Sequence, residues 1–271
     1  MLLSQSNNFK NLYLILVVVV SGQLFGQMDY LVESSVRSAP SLGADISTEL
    51  GYNFLLWGET FSANAKDKNN NKEIMYGIWR PSVKFSSSAL INGLQVVTEF
   101  LPISLINLSA GYGKTLVSTD FNYFDCQEIN CRGFIGREFI RAKSGLALWG
   151  FFLLGEYSME KLSFSDYDKK GRPFSDYANV LLCDIHGEYQ DIWEITAGRS
   201  FSAFTLGVVH RDVKNRILNG SALSQFLFFK QSKERWSYVV GAGQFRSTQT
   251  GSDFLAVFQL TFMGFPSLKL F

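Results

Sequence analysis

Apolar and polar residues alternate through most of this 271-residue chain. In ISTELGYNFLLW, residues 46–57, Ile46 and Leu50 have one parity, while Glu49 and Asn53 have the other. A β-strand directs successive side chains to opposite faces, whereas a helix repeats its apolar positions every three or four residues. The alternation therefore predicts strands, and it is equally clear in SLINLSAGYG (104–113), FFLLGEYSMEK (151–161) and WSYVVGAGQ (236–244).

Weaker alternation marks eight further segments: 74–86, 91–101, 134–148, 178–189, 192–200, 203–212, 221–230 and 253–263. Together the segments predict about twelve strands of ~10 residues, and their soft boundaries allow about ten to fourteen. Polar, turn-rich stretches connect them, which is typical of an antiparallel sheet whose strands follow one another in chain order. The predicted fold class is all-β.

The first residues carry an export signal. Residues 1–26 combine Lys10, an apolar run from Leu12 to Val20 and a small residue at Gly26. Because the run is shorter than the ~20 residues of a spanning helix, it predicts a secretory signal peptide, with an uncleaved anchor as the alternative. Residues 27–41 are then expected to form an N-terminal segment, and 42–271 a single β-domain.

The composition separates two all-β architectures, a soluble sandwich or barrel and a membrane barrel with its apolar faces toward lipid. Lys+Arg number 25 against 24 Asp+Glu, so the concentrated basic surface that nucleic-acid binding needs is not expected. Aromatic residues make up 15% of the chain. Because Tyr and Trp concentrate at bilayer interfaces, their positions near predicted strand ends favour the membrane barrel: Tyr52, Trp57, Trp79, Tyr112, Trp149, Trp193 and Trp236.

The last predicted strand is also aromatic. In DFLAVFQLTF, residues 253–262, Phe254, Phe258 and Phe262 share one face, and the chain ends on Phe271, although Pro266 interrupts the tail. With its export signal and strand pattern, the chain resembles bacterial outer-membrane β-barrel proteins as a broad class. The resemblance implies an antiparallel up-and-down transmembrane β-barrel in the outer membrane, with residues 27–41 in the periplasm. It further implies contact with outer-membrane lipids, recognition by the barrel assembly machinery, and a monomer or weak oligomer.

Charged residues on the polar face of three predicted strands are candidate lumen residues. Strand 134–148 is basic, whereas 151–164 and 178–189 are acidic. Opposite charges on neighbouring strands can pair, which satisfies ionised groups that are costly to enclose. The candidates are Arg137, Arg141, Lys143, Glu156, Glu160, Asp184, His186 and Glu188.

The stretch LLCDIHGEYQD, residues 181–191, also resembles a metal or catalytic set, because Asp184, His186 and Glu188 lie two residues apart. A strand with one polar face produces the same spacing, and we favour that interpretation over a bound metal. No cofactor is predicted. The strand would place the following side chains toward lipid: Leu181, Cys183, Ile185 and Tyr189.

Cys126 and Cys131 lie in a polar loop, DCQEINC. In an exported chain this spacing predicts a disulfide that closes the loop, since export leads to an oxidising compartment. A metal site is the less favoured alternative, because zinc needs further Cys or His ligands.

The leading functional hypothesis is a passive pore or transporter for small polar solutes. A closed structural or adhesive barrel with partner-binding outer loops is the first alternative. A lipid-modifying enzyme is the least favoured, because no nucleophile motif accompanies its candidate residues. Those residues are His210, Asp212, Ser200 and Ser202.

Overall fold

The computed structural model describes residues 26–39, 43–57, 76–88, 90–103, 105–120, 123–165 and 171–263. These residues contain twelve strands in one closed barrel and two short strands in a separate sheet. Within the same ranges, no helix has the length and hydropathy needed to cross a bilayer. The barrel strands are β1 (Gly26–Arg37), β2 (Gly43–Trp57), β3 (Gly77–Ser87), β4 (Ile91–Ile103), β5 (Ile106–Val117), β6 (Gly133–Leu148), β7 (Phe151–Phe164), β10 (Glu188–Ser200), β11 (Thr205–Asn215), β12 (Ser221–Lys233), β13 (Trp236–Ser247) and β14 (Gly251–Met263). The separate sheet pairs β8 (Phe174–Asp176) with β9 (Leu181–Cys183).

Every barrel strand pairs antiparallel with its neighbour in chain order, and β7 pairs with β10 around the small sheet. The barrel closes where β1 pairs with β14, with Leu31 opposite Met263 and Arg37 opposite Val257. Closure leaves no free strand edge, which a β-structure needs in order to satisfy its backbone hydrogen bonds in lipid. The predicted up-and-down barrel of about twelve strands is confirmed.

The agreement in strand number hides two errors. Eleven predicted strands match barrel strands, but the segment 178–189 does not form one, and β1 was not predicted. The expectation that 27–41 form a periplasmic segment outside the barrel is wrong, because Gly26–Arg37 pairs with β2 and its Leu31–Arg37 part also pairs with β14. The predicted signal peptide falls almost entirely on residues 1–25, which lie outside the described residues.

Large apolar side chains cover the outward face of the wall. Leu227 and Phe254 are 70% and 68% exposed, and Leu146 is similarly exposed. Leu227 lies next to Ala242 on β13, and Ala242 lies next to Ala256 on β14, so the apolar face is continuous across strands. A soluble barrel would bury such residues inward, whereas a membrane barrel presents them to lipid.

The barrel has two distinct ends. At the terminal end, where β1 begins and β14 finishes, lie the long connection 58–76 and four short ones, 104–105, 149–150, 201–204 and 234–235. Two other long connections, 118–132 and 165–187, lie at the opposite end. Residues 171–187, which include β8 and β9, are called the inner hairpin below, and the end that holds them is the hairpin end.

Candidate functional site in the lumen

Apolar contacts hold the inner hairpin across the lumen. Leu181, on β9, belongs to a buried cluster with Val213 and Phe245 on the β10–β14 side of the wall. Phe174, on β8, belongs to a second cluster that includes Ile135 on the β5–β7 side. Because the hairpin contacts both sides of the barrel, it lies inside the barrel at the hairpin end.

Hydrogen bonds satisfy most of the polar groups that the inner hairpin buries, although the Ser175 hydroxyl has no partner among the described residues. The carboxylate of Asp176 accepts from the Asn179 side chain at 2.8 Å and from Gln190 Nε2 at 3.0 Å. Asn215 Nδ2, on β11, donates to the Leu182 carbonyl at 2.7 Å. Buried polar groups with partners cost little, whereas unpaired ones would destabilise this packing. The hairpin is therefore docked at both apolar and polar contacts.

The stretch 181–191 does not form the predicted wall strand along its whole length. Leu181 and Cys183 are fully buried in the inner hairpin, so their predicted contact with lipid is wrong. The alternation was misleading there because β9 buries Leu181 and Cys183 against the inside of the wall. Tyr189, in contrast, lies on β10 and is 40% exposed.

The three ionisable residues of this stretch take different positions. The backbone N–H of His186 donates to Asp184 Oδ1 at 2.8 Å within a turn at the hairpin end, and His186 is exposed. Glu188 is buried, and its carboxylate accepts from the backbone N–H of Ile217 at 2.8 Å and of Leu218 at 3.2 Å. Glu188 thus tethers the start of β10 to the turn between β11 and β12.

The basic and acidic residues of β6 and β7 form ion pairs on the inner face of the wall. Glu156 lies opposite Lys143 in the strand register, and its carboxylate is 2.8 Å from Lys143 Nζ and 2.8 Å from Arg141 Nε. Arg137 Nη1 is 2.6 Å from Glu160, and its Nη2 is 3.6 Å from Asp176 of the inner hairpin. These ion pairs therefore extend from the wall strands β6 and β7 to the inner hairpin.

A second ionic cluster, around Arg80 on β3, is almost completely buried. Arg80 Nη2 is 2.7 Å from Asp29 Oδ1, and Nη1 is 2.6 Å from Glu99 and also contacts Glu49. One guanidinium thus binds three carboxylates from β1, β2 and β4. Gly51 is required beside it, because a Cβ there would lie 2.5 Å from the Arg80 guanidinium. Asp29 could not be assigned from the sequence, because its strand was not predicted.

The loop before β6 supports the inner hairpin. Cys126 and Cys131 form a disulfide there. Next to it, the backbone N–H of Ser175 donates to the Asn130 carbonyl at 3.0 Å, and the Asn130 N–H donates to the Pro173 carbonyl at 2.9 Å. The disulfide loop, at the rim of the barrel, thus hydrogen-bonds to strand β8 of the inner hairpin.

Two adjoining polar cavities lie between the inner hairpin and the β1–β6 wall. The first, at the rim, has a volume of about 460 Å³, and the second, deeper in the barrel, about 280 Å³. Both are lined by Asp45, Ser86 and Tyr177. Arg37 lines the outer cavity, and Lys84 and Arg137 line the inner one. The hairpin therefore fills only part of the lumen cross-section at this end.

Cys183 is a natural reporter of the hairpin position, because it is the one cysteine outside the disulfide and is fully buried. Burial raises the pKa of its thiol above the usual range, so little reactive thiolate forms. In folded protein in lipid vesicles, we expect a maleimide to leave Cys183 unlabelled while it labels a Ser202→Cys variant in an exposed turn. Mass spectrometry measures both. Rapid labelling of Cys183 in folded protein would mean that the hairpin leaves the lumen.

The residues considered for an enzyme are dispersed. His210 lies on the outward face of β11 and forms a 2.8 Å hydrogen bond between its Nδ1 and Gln225 Nε2. Its register partner on β10 is Ile195, whereas Ser200 pairs with Thr205 at the terminal end. No described serine hydroxyl hydrogen-bonds to His210, so these residues do not form a nucleophile–base pair.

Comparison with known proteins finds no matching family model and no matching curated protein. Solved structures do match. An outer membrane channel from Pseudomonas putida F1 is 12% identical, with a TM-score of 0.44 over 88% of this chain and 95% of that one. The KdgM porin is 10% identical, with a TM-score of 0.42 over 86% and 98%. The translocator domain of the autotransporter NalP from Neisseria meningitidis is 11% identical, with a TM-score of 0.36 over 94% and 95%.

This chain is a closed twelve-strand β-barrel with an apolar outward face, the architecture of barrels that span membranes. The likeness to the solved structures is one of fold alone.

Proposed function

We propose that this barrel is a passive channel for small polar solutes, which pass beside the inner hairpin. The observation that carries the proposal is the pair of adjoining polar cavities along the β1–β6 wall. Apolar packing around the whole inner hairpin would exclude water. Polar and charged side chains instead line the space between the hairpin and the β1–β6 wall.

Charges of both signs line the proposed path. Arg37, Lys84 and Arg137 are cationic, and Asp45 is anionic. Tyr177 adds a neutral hydroxyl, since burial raises its pKa. Such a lining interacts with the dipole of a polar or zwitterionic solute without holding it by a single strong ion pair, which suits passage more than tight binding.

A large side chain in the proposed path should block the passage of ions and solutes. Ser86 lines both cavities, so in a Ser86→Trp variant we expect the indole to occupy their junction and to abolish or strongly reduce single-channel conductance in planar bilayers. Ser34→Trp is the matched control, because Ser34 has the outward parity of β1 and its register partners Ile46 and Leu260 also face outward. Its conductance should equal that of the wild type.

Two results would contradict the proposal. If the Ser86→Trp variant conducted like the wild type, solutes would not pass between the hairpin and β3. If the wild type gave no discrete conductance steps at all, the closed structural barrel would be the better interpretation. The apolar packing of the inner hairpin is the observation that favours that second candidate. Heat-modifiable mobility on gels confirms in each case that the barrel is folded.

A further inference from the structure

A polar patch interrupts the lipid-facing surface on the outer face of β11, β12 and β13. Outward positions in this patch carry His210, Asp212 and Lys214 on β11, with Arg246 on β13. These side chains line an outward-opening pocket of about 470 Å³, together with Ser221. The pocket lies outside the lumen and is independent of the proposed channel.

The height of the patch matches a bilayer interface. Trp236 and Arg246 both face outward on β13 and are ten residues apart. With a rise of about 3.4 Å per residue and a strand tilt of about 40°, they are separated by about 26 Å along the barrel axis. The apolar band of a membrane barrel is about 25 Å tall, with aromatic residues at its borders. If Trp236 marks one interface, Arg246 lies at the other, where lipid phosphates are found.

Among the charged residues of the patch, the Arg246 guanidinium is available to bind an anion. Lys214 Nζ is 3.0 Å from Asp212, whereas Arg246 forms no ion pair with a carboxylate of the described chain. Arg216, on the same rim, shows the contrasting case: its guanidinium binds both oxygens of Asp191, at 2.6 and 2.7 Å. A guanidinium prefers planar, bidentate contacts with phosphate or carboxylate oxygens. Of these two arginines, Arg246 is the one with such contacts to offer.

Apolar surface begins below an outward row of polar residues formed by His210, Gln225 and Gln244. Leu227 on β12 is 70% exposed, and Val208 and Val240 on the adjoining strands are also exposed. A ligand that placed its phosphate beside Arg246 would lay an attached hydrocarbon chain along these side chains. Free phosphate would use only the upper part of this surface, whereas a lipid uses both parts.

We propose that this patch binds the phosphate headgroup of an anionic membrane lipid. Arg246 contacts the phosphate oxygens, Lys214 adds a second positive charge, and the acyl chains cover Leu227 and its neighbours. The lipid belongs to the leaflet at the hairpin end.

Native mass spectrometry of the full chain in neutral detergent tests the proposal, with short-chain phosphatidic acid as the probe. The Arg246→Gln/Lys214→Gln variant is expected to bind it roughly tenfold more weakly than the wild type, because charge-assisted contacts are lost. The matched control is Arg235→Gln/Lys233→Gln, which removes two exposed charges at the terminal end. It should bind like the wild type. Diacylglycerol, which lacks the phosphate, should not be retained.

Three results would overturn the proposal. Equal binding by the wild type and the Arg246→Gln/Lys214→Gln variant would remove these residues from the site. Equal weakening in the control would reveal a general effect of net charge. Displacement of the lipid by an equal concentration of inorganic phosphate would identify a free-anion site instead of a lipid site. Heat-modifiable gel mobility verifies that each variant is folded.

Discussion

Replacing the inner hairpin with a short flexible linker is expected to raise the single-channel conductance several-fold. A barrel of twelve strands is wide enough for a watery passage, and the hairpin fills much of it at one end. Leu162 at the end of β7 pairs with Glu188 at the start of β10, so a Gly-Ser linker in place of residues 166–186 can join the two strands without distorting the wall. Planar-bilayer recording measures the change.

The control for this replacement keeps the hairpin in place. The same linker inserted into the turn between β13 and β14, residues 248–250, lengthens a connection at the hairpin end but removes nothing from the lumen. It should leave the conductance unchanged. An unchanged conductance in the hairpin replacement, with folding verified by gel mobility, would place the narrowest point elsewhere in the barrel and contradict the assigned path. Loss of the hairpin also exposes Val213 and Phe245 to water, so a lower stability is expected.

Period-two alternation predicts wall strands well, because a strand between lipid and a polar lumen must alternate along its whole length. The strands β2, β5, β7 and β13 follow that rule closely. The same rule fails for 178–189, because apolar side chains of the inner hairpin pack against the inside of the wall. Leu181 and Cys183 are buried against the inner wall instead of facing lipid. A local pattern of six or seven residues cannot distinguish these two apolar environments.

The sequence also predicts only some of the ion pairs in the lumen. Opposite charges on β6 and β7 can be matched from the sequence, since consecutive strands are neighbours and Lys143 and Glu156 are adjacent in the register. The cluster around Arg80 needs the closure of the barrel, because β1 contributes Asp29. Because β1 was not predicted, Asp29 was absent from the predicted lumen residues.

Replacing Arg80 by glutamine is expected to lower the free energy of unfolding in lipid vesicles by about 3–5 kcal/mol. The guanidinium is 3% exposed and binds Asp29, Glu49 and Glu99. Without it, three enclosed carboxylates lose the cation that they share, while Asn53 Nδ2 stays 2.9 Å from Asp29. Urea titration followed by tryptophan fluorescence measures the loss. Arg235→Gln, in an exposed turn, is the control and should change the stability by less than about 0.5 kcal/mol.

The loss should come from uncompensated charge more than from lost packing, and a rescue experiment separates these causes. Adding Glu49→Gln and Glu99→Gln to Arg80→Gln leaves Asp29 as the single carboxylate of the cluster, with its Asn53 hydrogen bond intact. Most of the lost stability should return, because replacing both partners of a buried ion pair costs much less than removing one. A triple variant as unstable as Arg80→Gln alone would instead assign the effect to the packing of the guanidinium against Gly51 and the wall.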